Sequence, residues 1–270
     1  MNKNEVLDAP SLKWLRKTLN MGSDMRAAVE QLRQRGFTDP AILAGLDAIK
    51  PTGNALAAGL PPLIRRNPAN LSKIDRPGIE LYTLDNFLNA KDCARIISLI
   101  DHHVQPSRLA MKANDGFRTS QTAELCQLKS PTAIAIDEKI CKTFGIRAGY
   151  SEGIQAQRYD VGQQFKPHHD YFEPGSEMYR RLASMRGNRT WTFMVYLNDG
   201  MEGGTTRFTE IDYVAQPKAG MALFWNNLNA DGLPNPLTKH CGEPVTSGHK
   251  IVITKWFRVH GDGPVFHEPA

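Results

Sequence analysis

The chain has 270 residues, of which 41% are hydrophobic and 23% are charged, and it carries a formal net charge of +5. No stretch approaches the roughly 18 consecutive apolar residues that a membrane helix needs, and the first residues lack the apolar core of a secretory signal, so we expect a cytoplasmic protein that does not enter a membrane. Residues 1–77 hold 12 Lys or Arg against 7 Asp or Glu while the remainder is balanced, and so modest a surplus does not favour nucleic acid binding.

Three helices are predicted in residues 1–50. The second follows a cap at Ser23 or Asp24, and the third begins with Asp39 as N-cap and Pro40 at its first position. The third helix is expected to bury Ile42, Leu43, Leu46 and Ile49 on one face. These helices form a small N-terminal unit, and the sequence leaves its role open between dimerisation, recruitment of a substrate protein and covering of the main domain.

Residues 51–77 contain five prolines, which break any helical or strand periodicity. We predict an extended linker or arm there and place the domain boundary within it. The main domain is then expected over residues 78–262, followed by a C-terminal tail at residues 263–270.

In the main domain, two helices lie ahead of most of the strands. Asn89 is expected to cap the first helix, and Ser130-Pro131 opens a second helix that Gly145 ends. Short strands separated by Gly, Pro and Asn are predicted at residues 79–84, 155–159, 165–170, 190–197, 205–209, 221–225 and 249–257. This spacing predicts an antiparallel barrel or sandwich in an α+β domain.

The stretch QRYDVGQQFKPHHDYF contains three adjacent candidate metal ligands, His168, His169 and Asp170. Because side chains alternate along a strand, His168 and Asp170 are expected on one face and His169 on the other. An imidazole beside a carboxylate, with further positions open, suits non-heme Fe(II) better than structural zinc. Alone, however, a His-x-Asp pair is more often ordinary polar structure than a metal site.

A third ligand and an anion site follow further along the chain. His240, in HCGEPV, completes a facial triad of two histidines and one carboxylate. Lys250 lies in an apolar strand, on the face of Val252, Thr254 and Trp256, and a lysine directed into a barrel needs an anionic partner. In an Fe(II) oxygenase that partner is the distal carboxylate of 2-oxoglutarate, to which Tyr196 is also placed to donate.

These motifs together resemble the catalytic domain of the prolyl 4-hydroxylases, within the Fe(II)- and 2-oxoglutarate-dependent dioxygenases. The resemblance covers about residues 78–258. The matching pieces, in chain order, are Arg118-Thr119-Ser120, Tyr159-x-x-Gly162, His168-x-Asp170-Tyr171, YLND ending at Asp199, Glu202-Gly203-Gly204, Pro217-Lys218-x-Gly220, His240-x-Gly242 and Gly248-x-Lys250.

The resemblance implies a double-stranded β-helix (jelly-roll) core and a role for each matching residue. His168, Asp170 and His240 are the implied iron ligands, and Lys250 is the implied clamp on 2-oxoglutarate. Tyr159, Tyr196, Thr206 and Trp256 match positions of the cofactor pocket, and Arg118 and Ser120 match a substrate loop. For Arg118 an ordinary salt bridge is an equally good interpretation. Phe165 and Ile251 depart from the common family residues, and the segment 173–188 is longer and more basic than usual, which leaves the substrate open.

The implied activity is hydroxylation of a C–H bond, most simply C4 of a prolyl residue in a peptide or protein. O2 and 2-oxoglutarate are consumed, succinate and CO2 are released, and ascorbate is the implied reductant. Two alternatives remain from the residues: a hydroxylase of a free amino acid or peptide natural product, and a non-catalytic peptide-binding module. The partner is expected to be a proline-containing peptide or protein, and a homodimer is an open possibility.

Overall fold

A computed structural model of the chain describes residues 6–20, 25–48, 61–107, 117–128, 130–183 and 185–261. The helices are α1 (Ala9–Asn20), α2 (Met25–Gln34), α3 (Asp39–Ala48), α4 (Pro62–Arg66), α5 (Ala90–Asp101), α6 (Pro131–Phe144) and α7 (Glu177–Leu182). The strands are β1 (Leu71–Lys73), β2 (Leu81–Leu84), β3 (Gln105–Pro106), β4 (Gln121–Glu124), β5 (Gln155–Tyr159), β6 (Phe165–His168), β7 (Arg189–Tyr196), β8 (Glu202–Gly203), β9 (Thr206–Phe208), β10 (Tyr213–Ala215), β11 (Ala222–Asn226), β12 (His240–Gly242), β13 (Val245–Ser247) and β14 (Lys250–Arg258).

The strands form one large and one small antiparallel sheet, with a short two-stranded ribbon beside them. The large sheet has the order β1-β2-β11-β7-β14-β5-β4-β3, the small sheet β10-β9-β12-β6, and the ribbon pairs β13 with β8. The predicted α+β class with an antiparallel sheet core is therefore confirmed. The seven predicted strands correspond to β2, β5, β6, β7, β9, β11 and β14, and their ends differ from the prediction by at most two residues.

Side-chain alternation along β14 separates the scaffold from the interior of the barrel. Ile251, Ile253 and Phe257 belong to the hydrophobic cluster that packs under α5 and α6. Lys250 and Val252, one position out of phase, project into the space between the two sheets. The same strand thus packs against the helices through one face and directs Lys250 into the interior from the other.

The two scaffold helices begin as their sequences predict. The side chain of Asn89 accepts a hydrogen bond from the backbone N–H of Asp92 at 2.8 Å, and α6 starts at Pro131 and ends before Gly145, whose φ is +79°. A Cβ at Gly145 would lie 2.5 Å from the ring of Pro62 in α4. The glycine therefore permits both the left-handed turn and the close contact with α4.

Residues 62–73 do not form the extended linker that the prolines predicted. Pro62–Arg66 is a short helix whose Leu63 is buried in the main core, and Leu71–Lys73 pairs with β2 as an edge strand of the large sheet. Two prolines at a helix start are compatible with this turn because proline lacks only a donor that the first turn does not use. Residues 51–60 and the tail at 263–270 lie outside the described residues.

The N-terminal helices pack around their own small core, which takes in one residue of the main domain. Its buried members are Leu7, Leu15, Ala28, Leu32, Ile42 and Met185. Met185 comes from the segment between Asp170 and β7, so this segment contacts the N-terminal unit.

Two details of α3 differ from the prediction. Thr38, not Asp39, occupies the cap, because its hydroxyl accepts from the N–H of Ala41 while Asp39 pairs with Arg33 at 2.8 Å. Leu43 is 62% exposed instead of buried, whereas Ile42 faces the small core as predicted. Ser23, Asp24 and Ile49 lie outside the described residues.

Among the described helices, none combines the length and the apolar character that crossing a bilayer requires.

Candidate active site

Three predicted ligands, from two strands and the turn after one of them, meet in the interior. β6 and β12 pair so that His168 lies opposite His240, and Asp170 follows two residues after His168. The Nε2 atom of His168 lies 3.7 Å from Oδ1 of Asp170, and Nε2 of His240 lies 3.9 Å from Oδ2. One ligand atom from each residue lies within 4.8 Å of the other two. The arrangement brings two nitrogens and one carboxylate to a single point.

Each histidine ring is oriented by a backbone carbonyl. Nδ1 of His168 lies 2.8 Å from the carbonyl oxygen of Lys166, and Nδ1 of His240 lies 2.8 Å from that of Thr238. A carbonyl oxygen only accepts, so each Nδ1 donates its proton there, and Nε2 is the ring nitrogen that faces Asp170. Burial, reinforced by the neighbouring His240, lowers the pKa of His168 to about 3, so its ring is neutral at physiological pH and can bind a cation.

Asp170 is held ionised although it is only 6% exposed. Burial by itself raises its pKa, but His240, His168 and Arg189 outweigh burial, and the pKa lies below its usual value. The hydroxyl of Thr192 donates to Oδ2 at 2.7 Å. A carboxylate and two imidazoles form the donor set that suits a non-heme Fe(II) facial triad, and the residues present therefore fit this metal.

Lys250 forms a second, cationic point in the same interior. It is 2% exposed, and its Nζ contacts the hydroxyl of Thr206 at 3.4 Å and lies 5.3 Å from the ring centre of Tyr159. Glu243, which acts on it electrostatically, is itself paired with Arg207 at 2.6 Å. Burial lowers the pKa of Lys250 to about 8. An ammonium group in such surroundings is a site for an anion.

The hydroxyl of Tyr196, which was predicted to donate to a bound carboxylate, donates to Thr206 instead. The Tyr196 hydroxyl donates to Thr206 at 2.8 Å, and the same Thr206 oxygen faces the ammonium group of Lys250. Thr206 therefore accepts twice, and its own proton remains for a ligand. Tyr196 is fully buried behind it and supports the pocket indirectly.

One cavity joins the metal-ligand cluster to Lys250. Besides the three candidate ligands and Lys250, its walls are Arg118, Gln157, Tyr159, Phe165, Met194, Thr206, Trp225, Gly242, Val252, Thr254 and Trp256. The predicted face of β14, with Val252, Thr254 and Trp256 beside Lys250, is therefore confirmed. Tyr196 and Ser120 lie behind the wall and not on its surface.

Arg118 projects into this cavity without an acidic partner among the described residues. Its guanidinium donates to Ser120 at 3.0 Å and to Thr122 at 3.2 Å, and it lies 4.8 Å from the ring centre of Phe165. Within the described part of the chain Arg118 forms no salt bridge, and its guanidinium lines the cavity. Ser120 is 1% exposed and orients the guanidinium.

The other candidate residues near the metal motif have structural contacts. His169 points away from the cavity, where its Nε2 lies 3.2 Å from the carbonyl oxygen of Pro236 and its ring stacks on Tyr171. Arg186, from the basic segment 173–188, is buried and donates to the carbonyl oxygens of Gly149 and Ser151. This arginine is thus not available to an external partner.

Sequence reasoning missed the residues that support Asp170. Thr192 donates to the carboxylate, Asn227 donates to Thr192 at 2.9 Å, and the indole of Trp225 donates to Asn227 at 2.9 Å. The available signal was the alternation of β7: Trp191, Phe193 and Val195 form core, so Thr192 must face the interior. A threonine on the barrel side of an otherwise apolar strand marked the position.

Comparison with known proteins agrees with this geometry. Residues 154–258 match the family described as the 2OG-Fe(II) oxygenase superfamily. The chain is 34% identical over 155 residues to prolyl 4-hydroxylase subunit alpha-1 of Rattus norvegicus, covering 57% of this chain and 28% of that protein. It is 29% identical over 188 residues to a putative prolyl 4-hydroxylase of Acanthamoeba polyphaga mimivirus, covering 69% of this chain and 77% of that protein.

A solved structure has a similar fold. The viral collagen prolyl hydroxylase of Paramecium Bursaria Chlorella virus-1, in its 2OG complex, superposes with a TM-score of 0.53 at 24% identity, covering 66% of this chain and 96% of that chain. This likeness supports the jelly-roll arrangement. The chain spans less than a third of the length of the rat relative. The resemblance to prolyl 4-hydroxylases is confirmed by these matches, and residues 154–258 are similar to the 2OG-Fe(II) oxygenase superfamily.

Proposed function

We propose that the protein is an Fe(II)- and 2-oxoglutarate-dependent dioxygenase that hydroxylates a prolyl residue, at C4, in a peptide or protein. The observation that carries the proposal is the pairing of two groups in one buried cavity: the His168, Asp170 and His240 cluster at one point and Lys250 at another. A metal and a dicarboxylate are the ligands that these two groups select by charge and donor type.

Different side chains would bind the metal and 2-oxoglutarate. His168, Asp170 and His240 would hold the metal through Nε2, a carboxylate oxygen and Nε2. Lys250 and the free proton of Thr206 would hold the distal carboxylate of 2-oxoglutarate, with Tyr159 and Tyr196 flanking the ammonium group at 5.3 and 5.5 Å from their ring centres. When bound, Fe(II) and 2-oxoglutarate supply activation of O2: one oxygen atom enters the substrate C–H bond and the other enters succinate, as CO2 leaves.

Asp170 also bears on the type of product. Its carboxylate would supply the third protein ligand to the metal, so no protein ligand would be missing whose position a halide ion could take. Hydroxylation is therefore favoured over halogenation.

The walls near the ligands support a prolyl substrate. Phe165 stacks on His168, with ring centres 3.6 Å apart, and Trp256 forms another wall of the cavity. Flat aromatic surfaces pack well against a pyrrolidine ring, whereas a free amino acid would place its charged ammonium and carboxylate groups beside them. Arg118 offers donors to a peptide carbonyl from the cavity wall. The names of the similar proteins agree with this substrate class.

Three finer expectations belong to the same proposal. Ascorbate is proposed as the reductant that restores Fe(II), the protein is proposed to act in the cytoplasm, and its oligomeric state is left to measurement of the mass in solution.

The proposal is tested with the full chain, Fe(II), 2-oxoglutarate, O2 and ascorbate. We expect succinate formation that is stimulated by a proline-rich peptide, together with a mass gain of one oxygen atom on that peptide. A peptide with alanine in place of proline and free L-proline are the matched controls. Hydroxylation of free proline but not of the peptide would overturn the substrate class. Failure to form succinate with any substrate, although metal binds, would favour a non-catalytic binding module.

A further inference from the structure

A chain of hydrogen bonds runs from the core of the large sheet to the carboxylate of Asp170. Nε1 of Trp225 lies 2.9 Å from Oδ1 of Asn227, Nδ2 of Asn227 lies 2.9 Å from the hydroxyl of Thr192, and that hydroxyl lies 2.7 Å from Oδ2 of Asp170. Trp225 is 1% exposed, and Asn227 and Thr192 are completely buried. Water therefore does not compete for these groups.

The indole of Trp225 determines which group donates and which accepts in each of these hydrogen bonds. An indole N–H can only donate, so the Asn227 atom facing Trp225 must be its carbonyl oxygen. The amide nitrogen then faces Thr192 and donates to it, which leaves Thr192 to place its own proton elsewhere. The remaining acceptor is Oδ2 of Asp170, and a hydrogen bond to an ionised group is about twice as strong as a neutral one.

This direction has a consequence for the metal-ligand cluster. Thr192 engages Oδ2, and Oδ1 is the carboxylate oxygen that lies 3.7 Å from Nε2 of His168. The carboxylate plane is thereby held in one orientation before any ligand arrives.

We propose that Thr192 is a positioning residue for Asp170, and that Trp225 and Asn227 determine the direction of its hydrogen bond so that one carboxylate oxygen is presented to the metal. The proposal rests on the proposed metal site, which it deepens by naming the residues that orient its carboxylate.

Another threonine on the same strand provides a matched control. Thr190 precedes Thr192 by two positions on β7 and is equally buried at 0% exposure, and its hydroxyl finds no hydrogen-bond partner among the residues that the structure describes. The substitutions Thr190→Val and Thr192→Val therefore make the same chemical change, hydroxyl to methyl, on the same face of one strand. Only the second removes a donor to Asp170. Thr192→Ser keeps the hydroxyl and removes a methyl group.

The test measures the metal affinity of the full chain by letting the protein compete with a coloured chelator for the metal. Co(II) is used as an air-stable probe, and Fe(II) is used under anaerobic conditions. We expect Thr192→Val to bind each metal about 10- to 100-fold more weakly than wild type, as is typical when a residue that orients a metal ligand is removed. Thr192→Ser should recover most of that loss, and Thr190→Val should match wild type. Thermal unfolding of the metal-free proteins separates folding from affinity, because both valine variants should remain folded.

Two outcomes would overturn the inference: Thr192→Val binding metal as tightly as wild type, or Thr190→Val weakening the affinity as much as Thr192→Val. If Thr192→Val fails to fold, the metal affinity of Thr192→Ser tests the inference instead. A Thr192→Ser protein that binds metal as weakly as Asp170→Ala, which lacks one of the three ligands, would contradict the positioning role. Wild type that binds neither Co(II) nor Fe(II) would instead contradict the proposed function itself.

Discussion

Lys250 and Tyr159 are cross-strand partners in β14 and β5, and the ammonium nitrogen of Lys250 lies 5.3 Å from the centre of the Tyr159 ring. This contact gives the buried cation the negative face of an aromatic ring but no counter-charge. Because the pKa of Lys250 falls to about 8 in the folded chain, its charge state changes within an accessible pH range.

The affinity for 2-oxoglutarate should fall as pH rises above about 8. A bound carboxylate favours the charged lysine, so above that pH binding must take up a proton, and the dissociation constant should rise by up to about tenfold for each pH unit. Isothermal titration calorimetry between pH 7 and 9.5, in two buffers of different ionisation enthalpy, measures both effects. Lys250→Arg, which stays charged, should bind more weakly but without this pH dependence. A wild-type affinity that is constant to pH 9.5 would contradict the assignment.

The same lowered pKa predicts a stability change in the ligand-free protein. The unfolded chain binds a proton at Lys250 up to about pH 10.4, whereas the folded chain releases it near 8. Since the unfolded state holds more protons between these values, this residue makes the free energy of unfolding rise with pH across that window. Comparing urea unfolding of wild type and Lys250→Met at pH 7.5 and 9.5 isolates the contribution, and equal changes in both proteins would count against it.

Arg118 should affect the peptide and not the cosubstrate. Replacement by Gln removes a cation that faces the cavity, and we expect KM for the peptide to rise about tenfold, as for loss of one charge-assisted hydrogen bond, with kcat and the 2-oxoglutarate affinity little changed. Arg158→Gln is the matched control, because Arg158 pairs with Asp101 and Asp160 outside the cavity. An equal loss in both variants, or a loss confined to 2-oxoglutarate binding, would argue against a substrate role.

Met185 should link the N-terminal helices to the segment that follows Asp170. Met185 is 5% exposed within the small core, and truncation to Ala should cost about 2–5 kcal/mol of local stability, as for other buried methionines. Hydrogen exchange of the amides in α1 to α3 measures this directly. Leu43→Ala, at a position that is 62% exposed, should change exchange little. Unchanged protection in the Met185 variant would mean that the contact contributes nothing.

Much of the site could be predicted because a strand alternates with a period of two. That rule separated His169 from His168 and Asp170, and it put Lys250 on one face with Val252 and Thr254. Thr192 follows the same rule, but a threonine within TWTFMVYLN indicates no chemistry until Asp170 is known to lie 2.7 Å away. The role of Asn227 depends on pairing between β11 and β7, which are far apart in sequence, and local pattern does not determine such pairing.

Capping and burial of single residues were less predictable. Thr38 and Asp39 are both good caps; Thr38 takes the position, and Asp39 forms an ion pair with Arg33. Leu63 is buried against the main domain because α4 packs on Gly145, a tertiary contact that a run of prolines does not reveal.

The most direct test of the account is the anaerobic visible spectrum of the full chain with Fe(II) and 2-oxoglutarate. We predict a weak charge-transfer band that appears when both are present, disappears in His168→Ala, and needs a much higher 2-oxoglutarate concentration in Lys250→Ala. A wild-type spectrum without the band, or a band that persists in His168→Ala, would contradict the claim that this cavity holds iron and 2-oxoglutarate together.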